Sequence, residues 1–379
     1  MNAKNLSMAD IINLYQTRYA QSGYPFKHSE NQGKDFVETE WLKIKLKPEK
    51  TQPELLPFII TINEIFRFEI GNTQPECRLA ENHMLSKRIK QDNVEELQVR
   101  TLYYYYHQFV ANQNLYWEGL GRVVFCRYFY HDNDFNLYNG LVDINNCFIA
   151  IDLEQCLWPL TEKYHHGPNK IINQPKFVLT NNTPFTVEFI FSQLGQPAYL
   201  IKGKTREFIG ELHKDDYEIL PRINHFYPTS WFLIMPEFDA YAKSLSRNIR
   251  FLNEKHFATL KLLVTMNVKK ILINLHLQNE NDKNDCIDFI SAQLLKLTEI
   301  CKQSEAFKNY LRANHETALK TIMVEISEFF NNKAYKFADE SLQQSILDII
   351  YTDVNDQYQN LLIEMNIPQG MDYLADQVS

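Results

Sequence analysis

Apolar residues recur at helical spacing over residues 7–20, where Ile11, Ile12, Leu14 and Tyr15 share a face and Ser7 stands at the N-cap position. Residues 21–35 are polar and read as a loop. Over 36–47 (FVETEWLKIKLK) apolar residues alternate with lysines, which predicts a half-exposed strand. Prolines 48, 53 and 57 interrupt the next stretch. The runs FIITIN and IFRFEIG then predict two strands joined by a tight turn at Glu64, closed by Gly71 and Pro75. From Glu76 to Ile89 the pattern predicts a helix opened by Pro75. Helical character continues over 94–113, through the unusual run Tyr103–Tyr106, and residues 119–130 (GLGRVVFCRYFY) predict another helix, buried on most sides.

The pattern then changes. HDNDFNLYNG is a polar loop, and LVDINNCFIAIDL reads as two short strands around a turn at Asn145–Asn146. Residues 155–185 carry four prolines and read as irregular; 219–232 is a proline- and aromatic-rich connector. Helices are predicted over 236–263, 285–301, 303–313, 316–333 and 340–362, with a frayed tail after Pro368. The chain shows no internal repeat.

Composition narrows the classes. The 379 residues are 45% hydrophobic and 13% aromatic, enough for a two-lobed domain with a helical extension. A net charge of −8 argues against a nucleic-acid partner, which needs a basic footprint. No apolar run approaches the ~20 residues of a transmembrane segment, and the N-terminus lacks the greasy core of a secretory signal. The six cysteines form no C-x-x-C pair and read as reduced core thiols. With only 11 glycines and no G-x-G-x-x-G or Walker loop, the nucleotide folds built on those loops are disfavoured.

One constellation carries chemistry. Asn139 lies five positions after Asp134, and Asp152 thirteen after Asn139. A helix leads in, and a strand–turn–strand unit separates the last two. Phosphoryl transfer needs a carboxylate beside the attacking hydroxyl, and an amide oxygen with a second carboxylate to hold Mg²⁺ against the nucleotide phosphates. The kinase pattern H-R-D-x-x-x-x-N followed by a metal-binding Asp has the same intervals.

On these residues the segment HDNDFNLYNGLVDINNCFIAIDLEQ resembles the D-x-H-x-x-N…I-D region of atypical kinases, including phosphoinositide kinases and HipA-like kinases. The longer context, about residues 58–265, resembles kinase-like effectors that Legionella-type intracellular bacteria deliver into host cells. PECRLAENHMLSKR is similar to their αC helix, GRVVFCRYFYHDND to the helix entering the catalytic loop, and ILPRINHFYPTSWF to a C-lobe connector. The resemblance implies an α+β, bilobal kinase-like fold with a reduced N-lobe and a mostly helical C-lobe. Its parts would be an N-terminal helix and strand region (1–57), the reduced N-lobe with αC (58–118), the catalytic C-lobe (119–265) and a C-terminal helical extension (266–379). It further implies Asp134 as the catalytic residue, Asn139 and Asp152 as metal ligands, and Glu81 as the αC carboxylate that organises the nucleotide site. ATP with Mg²⁺, or Mn²⁺, would be the cofactor. The partners would be the nucleotide and a host protein or phosphoinositide, met in the host cytoplasm or at a membrane surface.

The chain departs from that pattern in three places. Asn136 stands where the family often has His, and Leu153 where it has Gly. The strand before αC supplies no lysine; Arg67 is the basic residue in position to replace it, with Lys43, Lys45 and Lys47 on an earlier strand as alternatives. Two other readings stay open: a catalytically inactive pseudokinase scaffold for a host partner, and a nucleotidyl or glycosyl transferase, since Asp132-Asn133-Asp134 also has the metal-binding D-x-D form. Blander readings suffice elsewhere. His165-His166 reads as a surface turn, the Tyr103–Tyr106 run as helix packing, and Lys269-Lys270 as a helix end. Lys202, Lys204 and Arg206 read as a solvated strand pair or a phosphate-headgroup patch.

Overall fold

Residue 58 onward is where the sequence pattern and the fold part company. The computed structural model describes residues 6–21, 41–44, 52–71, 74–80, 83–87, 100–101, 116–132, 140–143, 145–151, 153–154, 156–165 and 247–367. Within them the two predicted strands are a single helix, α2 (Leu55–Ile70), following α1 (Met8–Gln21). α2 is buried on every side, so no amphipathic period marks it, and an apolar run reads equally as strand or buried helix. Its sixteen residues exceed an ordinary strand, and the length decides for helix. Pro57 is tolerated in the first turn, where a backbone N–H has no helical partner anyway. Gly71, at φ 117°, ends it. Polar side chains on α2 are satisfied internally: Thr61 Oγ1 donates to the Pro57 carbonyl at 2.7 Å and Asn63 Nδ2 to the Ile59 carbonyl at 2.7 Å.

The segment predicted as αC is a hairpin, β2 (Cys77–Ala80) with β3 (His83–Lys87), and β1 (Trp41–Ile44) pairs antiparallel on the other edge of β3. The reason is tertiary. Glu64 Oε1 on α2 accepts the Cys77 N–H at 2.8 Å, and Cys77 and Leu85 are buried beneath that contact. Packing on a neighbour overrides local helix preference, as strand propensities generally allow.

Elsewhere pattern and structure agree. α3 (Leu120–Phe129) is the predicted buried helix. β5 (Gly140–Val142) and β6 (Phe148–Ala150) form the predicted hairpin, and β4 (Arg100–Thr101) adds to β5, a strand inside the stretch predicted as helix. The turn is closed by Asp143, whose Oδ1 accepts the N–H groups of Asn145 and Cys147 at 2.9 and 2.8 Å. Asn146 sits at φ 60°, a conformation Asn tolerates better than most residues. A short helix, α4 (Trp158–Thr161), comes next.

The rest of the described chain is helical: α5 (Ile249–Val264), α6 (Met266–His276), α7 (Glu280–Gln303), α8 (Glu305–Phe330) and α9 (Glu340–Glu364). α8 joins two predicted helices, and α6 falls in none of them. Side chains of Asn248, Asn279, Ser304 and Asp339 accept first-turn N–H groups of α5, α7, α8 and α9, as N-caps do. α5 packs along α3, α6 against α1 and α2, and one continuous core runs from Ile11 to Ile367. The fold is α+β and mostly helical, with two small antiparallel sheets among the described residues. All six cysteines are free thiols, five of them buried.

Candidate phosphate and metal site

The segment that leads to Asp134 is set by α3. Gly119, in the left-handed region at φ 83°, starts the helix, and the Glu254 carboxylate accepts the N–H groups of Gly119 and Gly121, both at 2.9 Å. A carboxylate at a helix N-terminus meets orphan donors and the positive end of the helix dipole. At the other end Arg127 is fully buried. Its Nη1 pairs with Asp132, also fully buried, and its Nη2 donates to the Ile151 carbonyl at 2.6 Å. The Asp132 N–H returns to the Arg127 carbonyl at 2.9 Å, and the Leu157 N–H donates to the Tyr130 carbonyl at 2.6 Å. His131, at φ 52°, makes the bend between helix and loop.

One guanidinium therefore ties the exit of α3 to the end of β6. Asp134 follows Asp132 by two residues, and Asp152 follows Ile151 directly. Asp134, Asn139 and Asp152 themselves lie outside the described residues, as does Glu81. Their oxygen donors are of the kind Mg²⁺ prefers. Among the described residues no three His, Cys, Asp or Glu side chains stand together as a metal site. Asp132 is held by Arg127 in the core, so its carboxylate is not open to a metal in D-x-D fashion.

Arg67 is not on a strand and does not face a nucleotide. It lies on α2, 3% exposed, with Nη2 2.7 Å from Glu64 Oε2 and its guanidinium 4.3 Å from the centre of the Phe329 ring. Glu64 also accepts the Tyr335 hydroxyl at 2.6 Å, and a second buried pair, Arg78 with Glu76, lies beside it. Burial alone would raise the Glu64 pKa; the adjacent Arg67 and Arg78 charges reverse this and hold it down to about 2. This is a structural ion cluster, with the charged groups paired as burial demands. Lys45 and Lys47 lie outside the described residues, and Lys43 is on β1.

Two further expectations are corrected. Lys269 is not at a solvated helix end: it is buried inside α6, 2.7 Å from Glu69 and 2.7 Å from Thr265 Oγ1, and burial lowers its pKa despite Glu69. His165 is not on a surface turn but fully buried, its ring 4.9 Å from that of Trp158. His166, Tyr103–Tyr106, Lys202, Lys204 and Arg206 lie outside the described residues. Sequence reasoning missed the roles of Arg127 and Asp132. The available signal was a lone arginine inside the apolar run GRVVFCRYFY, five residues before an aspartate. No described helix is long and apolar enough to cross a membrane. Comparison with protein-family models, with curated proteins and with solved structures finds no match to this chain.

Proposed function

We propose that the chain is a kinase-like phosphotransferase, in which Asp134, Asn139 and Asp152 bind Mg²⁺–ATP and direct transfer to a hydroxyl of a host protein or a phosphoinositide. The reading includes the finer fold: residues 119–165 would be the catalytic loop and metal hairpin of a bilobal kinase-like domain. The observation that supports it is the buried Arg127 clamp. The segments that issue into Asp134 and Asp152 are bound to the same side chain, at Asp132 and at Ile151. Two sequence intervals and one tertiary link thus agree on a common corner.

In this reading Asp134 orients the attacking hydroxyl and receives its proton as oxygen bonds to the γ-phosphorus. The bridging P–O bond breaks, and its electron pair leaves with ADP. Asn139 and Asp152 hold the cation, which neutralises charge on the phosphate oxygens. Such catalysis is mostly positioning and electrostatics, so loss of one ligand is severe.

The second reading is a pseudokinase scaffold for a host partner. It is favoured by the ion pair that engages Arg67 in the core and by the hairpin standing where an αC helix was expected. Incubation with ATP and Mg²⁺, followed by mass spectrometry of protein and lipid products, separates the readings. A phosphate adduct lost in Asp134→Asn supports transfer; an AMP or sugar adduct identifies a nucleotidyl or glycosyl transferase; and no adduct with any donor leaves the scaffold.

A further inference from the structure

A second site stands apart from the Arg127 corner. Between the β5–β6 turn, the segment before α3 and the first turns of α5 lies an open hollow of about 660 Å³. Glu118 and Glu254 line it with Asn145, Asn146 and Asn253, and Arg250 stands at its edge with Tyr116. The lining is polar throughout, and Glu118, Asn145, Asn146, Asn253 and Arg250 are exposed.

The backbone beneath these side chains is fixed. The Glu118 N–H donates to the Asn146 carbonyl at 2.9 Å and the Phe148 N–H to the Glu118 carbonyl at 2.7 Å, so the segment before α3 is stitched to the hairpin. Glu254 is anchored by the N–H groups of Gly119 and Gly121. Gly121 lets α5 approach closely; a Cβ there would lie 2.6 Å from the Phe251 carbonyl oxygen. Hydrogen-bonding groups held on rigid backbone lose little entropy when a ligand arrives.

Charge decides what would bind. Two carboxylates face the hollow, and Asp143 stands just behind the turn; Arg250 is the one cation among the lining residues described. The Cys147 thiol reports the same field: burial, then Asp143, Glu118 and Glu254, push it up to about 11. Burial also raises Glu254 above the usual carboxylate range, although two backbone donors and the Arg122 charge pull it down. The site is short of positive charge. Asparagine amides, with one donor and one acceptor end, suit a peptide backbone.

We propose that this hollow binds a guanidinium or ammonium group, delivered by an arginine or lysine of a polypeptide, with Glu118 and Glu254 taking the cation and the asparagines and Arg250 meeting the adjoining peptide groups. The assignment does not depend on phosphoryl transfer; it would serve an enzyme as a substrate-docking point and a scaffold as its partner contact.

The test is isothermal titration of the full chain with acetyl-Gly-Arg-Gly-amide, its citrulline counterpart and agmatine, each to about 10 mM. The arginine peptide is expected to bind, the citrulline peptide to show no saturation, and Glu118→Gln, whose exposed side chain leaves the melting temperature unchanged, to weaken binding about fivefold. Tighter binding of the peptide than of agmatine supports a polypeptide source, and the reverse a free amine. Absence of binding by both cations, equal binding of citrulline, or no effect of Glu118→Gln overturns the proposal.

Discussion

Arg127 does at residue scale what the sequence intervals only imply. It is buried, its charge is met by Asp132, and its second amino group reaches Ile151 on the neighbouring hairpin. Removing it leaves the Asp132 carboxylate buried without that partner. Arg127→Met is therefore expected to lower unfolding stability by about 3–5 kcal/mol in urea titrations, the cost of breaking a buried pair from one side. Arg127→Lys keeps the charge but lacks the fork that serves both contacts. It should lose less stability than Arg127→Met while weakening Mg²⁺–ATP binding, and binding at the wild-type level in Arg127→Lys would deny the clamp its positioning role. Glu64 makes the contrasting case. It is charged and buried at the centre of a cluster, yet its partners Arg67, Tyr335 and the Cys77 N–H are all structural.

At the scale of elements, α3 against α5 is the contact on which both sites rest. Gly121 has no room for a methyl group, because a Cβ would lie 2.6 Å from the Phe251 carbonyl and 2.8 Å from the Glu254 Cβ. Gly121→Ala must push the helices apart and should cost about 1–3 kcal/mol, read as a lowered denaturation midpoint, despite alanine's better helix propensity. An unchanged midpoint would mean the helices are not so closely held. This element and the hairpin beyond it were legible in sequence because their signals are local: an apolar helical run, then alternating strands around Asn145–Asn146. α2 was not legible, since burial on all sides erases the period that separates helix from strand. β2 and β3 were misread because the bond that fixes them comes from Glu64, thirteen residues before Cys77. The candidate site divides in the same way. Spacing alone singled out Asp134, Asn139 and Asp152, whereas the Arg127 clamp joins segments whose meeting no local pattern records. Arg67 failed as a phosphate ligand because its role rested on a strand that is a helix.

Across the whole molecule, buried histidines set the response to acid. Burial lowers His131 to about 4, and His256 and His276 to about 3, with Lys255 adding to the effect on His256 and Arg78 and Arg67 to that on His276. These folded values lie below the unfolded value near 6.5, so between the two the unfolded chain binds more protons. The stabilisation from neutral burial is thus complete above pH 6.5 and is lost as pH falls toward 4 and 3. From pH 7 to pH 5 each histidine should cost roughly 2 kcal/mol. Urea midpoints should fall steadily over that range, with Glu64 adding its own loss only as pH drops from about 4.5 toward 2. A flat midpoint between pH 7 and 5 would show that these rings are not held neutral.

The metal and phosphate corner is tested most directly by the melting temperature with and without Mg²⁺–ATP, in the wild-type chain and in Asp152→Ala. At ligand near 100 times its dissociation constant, binding adds about 2.7 kcal/mol, a rise of roughly 2–4 °C for a chain of this size. The rise should appear in the wild type, require the metal, and vanish in Asp152→Ala. No rise at millimolar nucleotide, or an equal rise in the variant, would contradict a nucleotide site built on Asp134, Asn139 and Asp152.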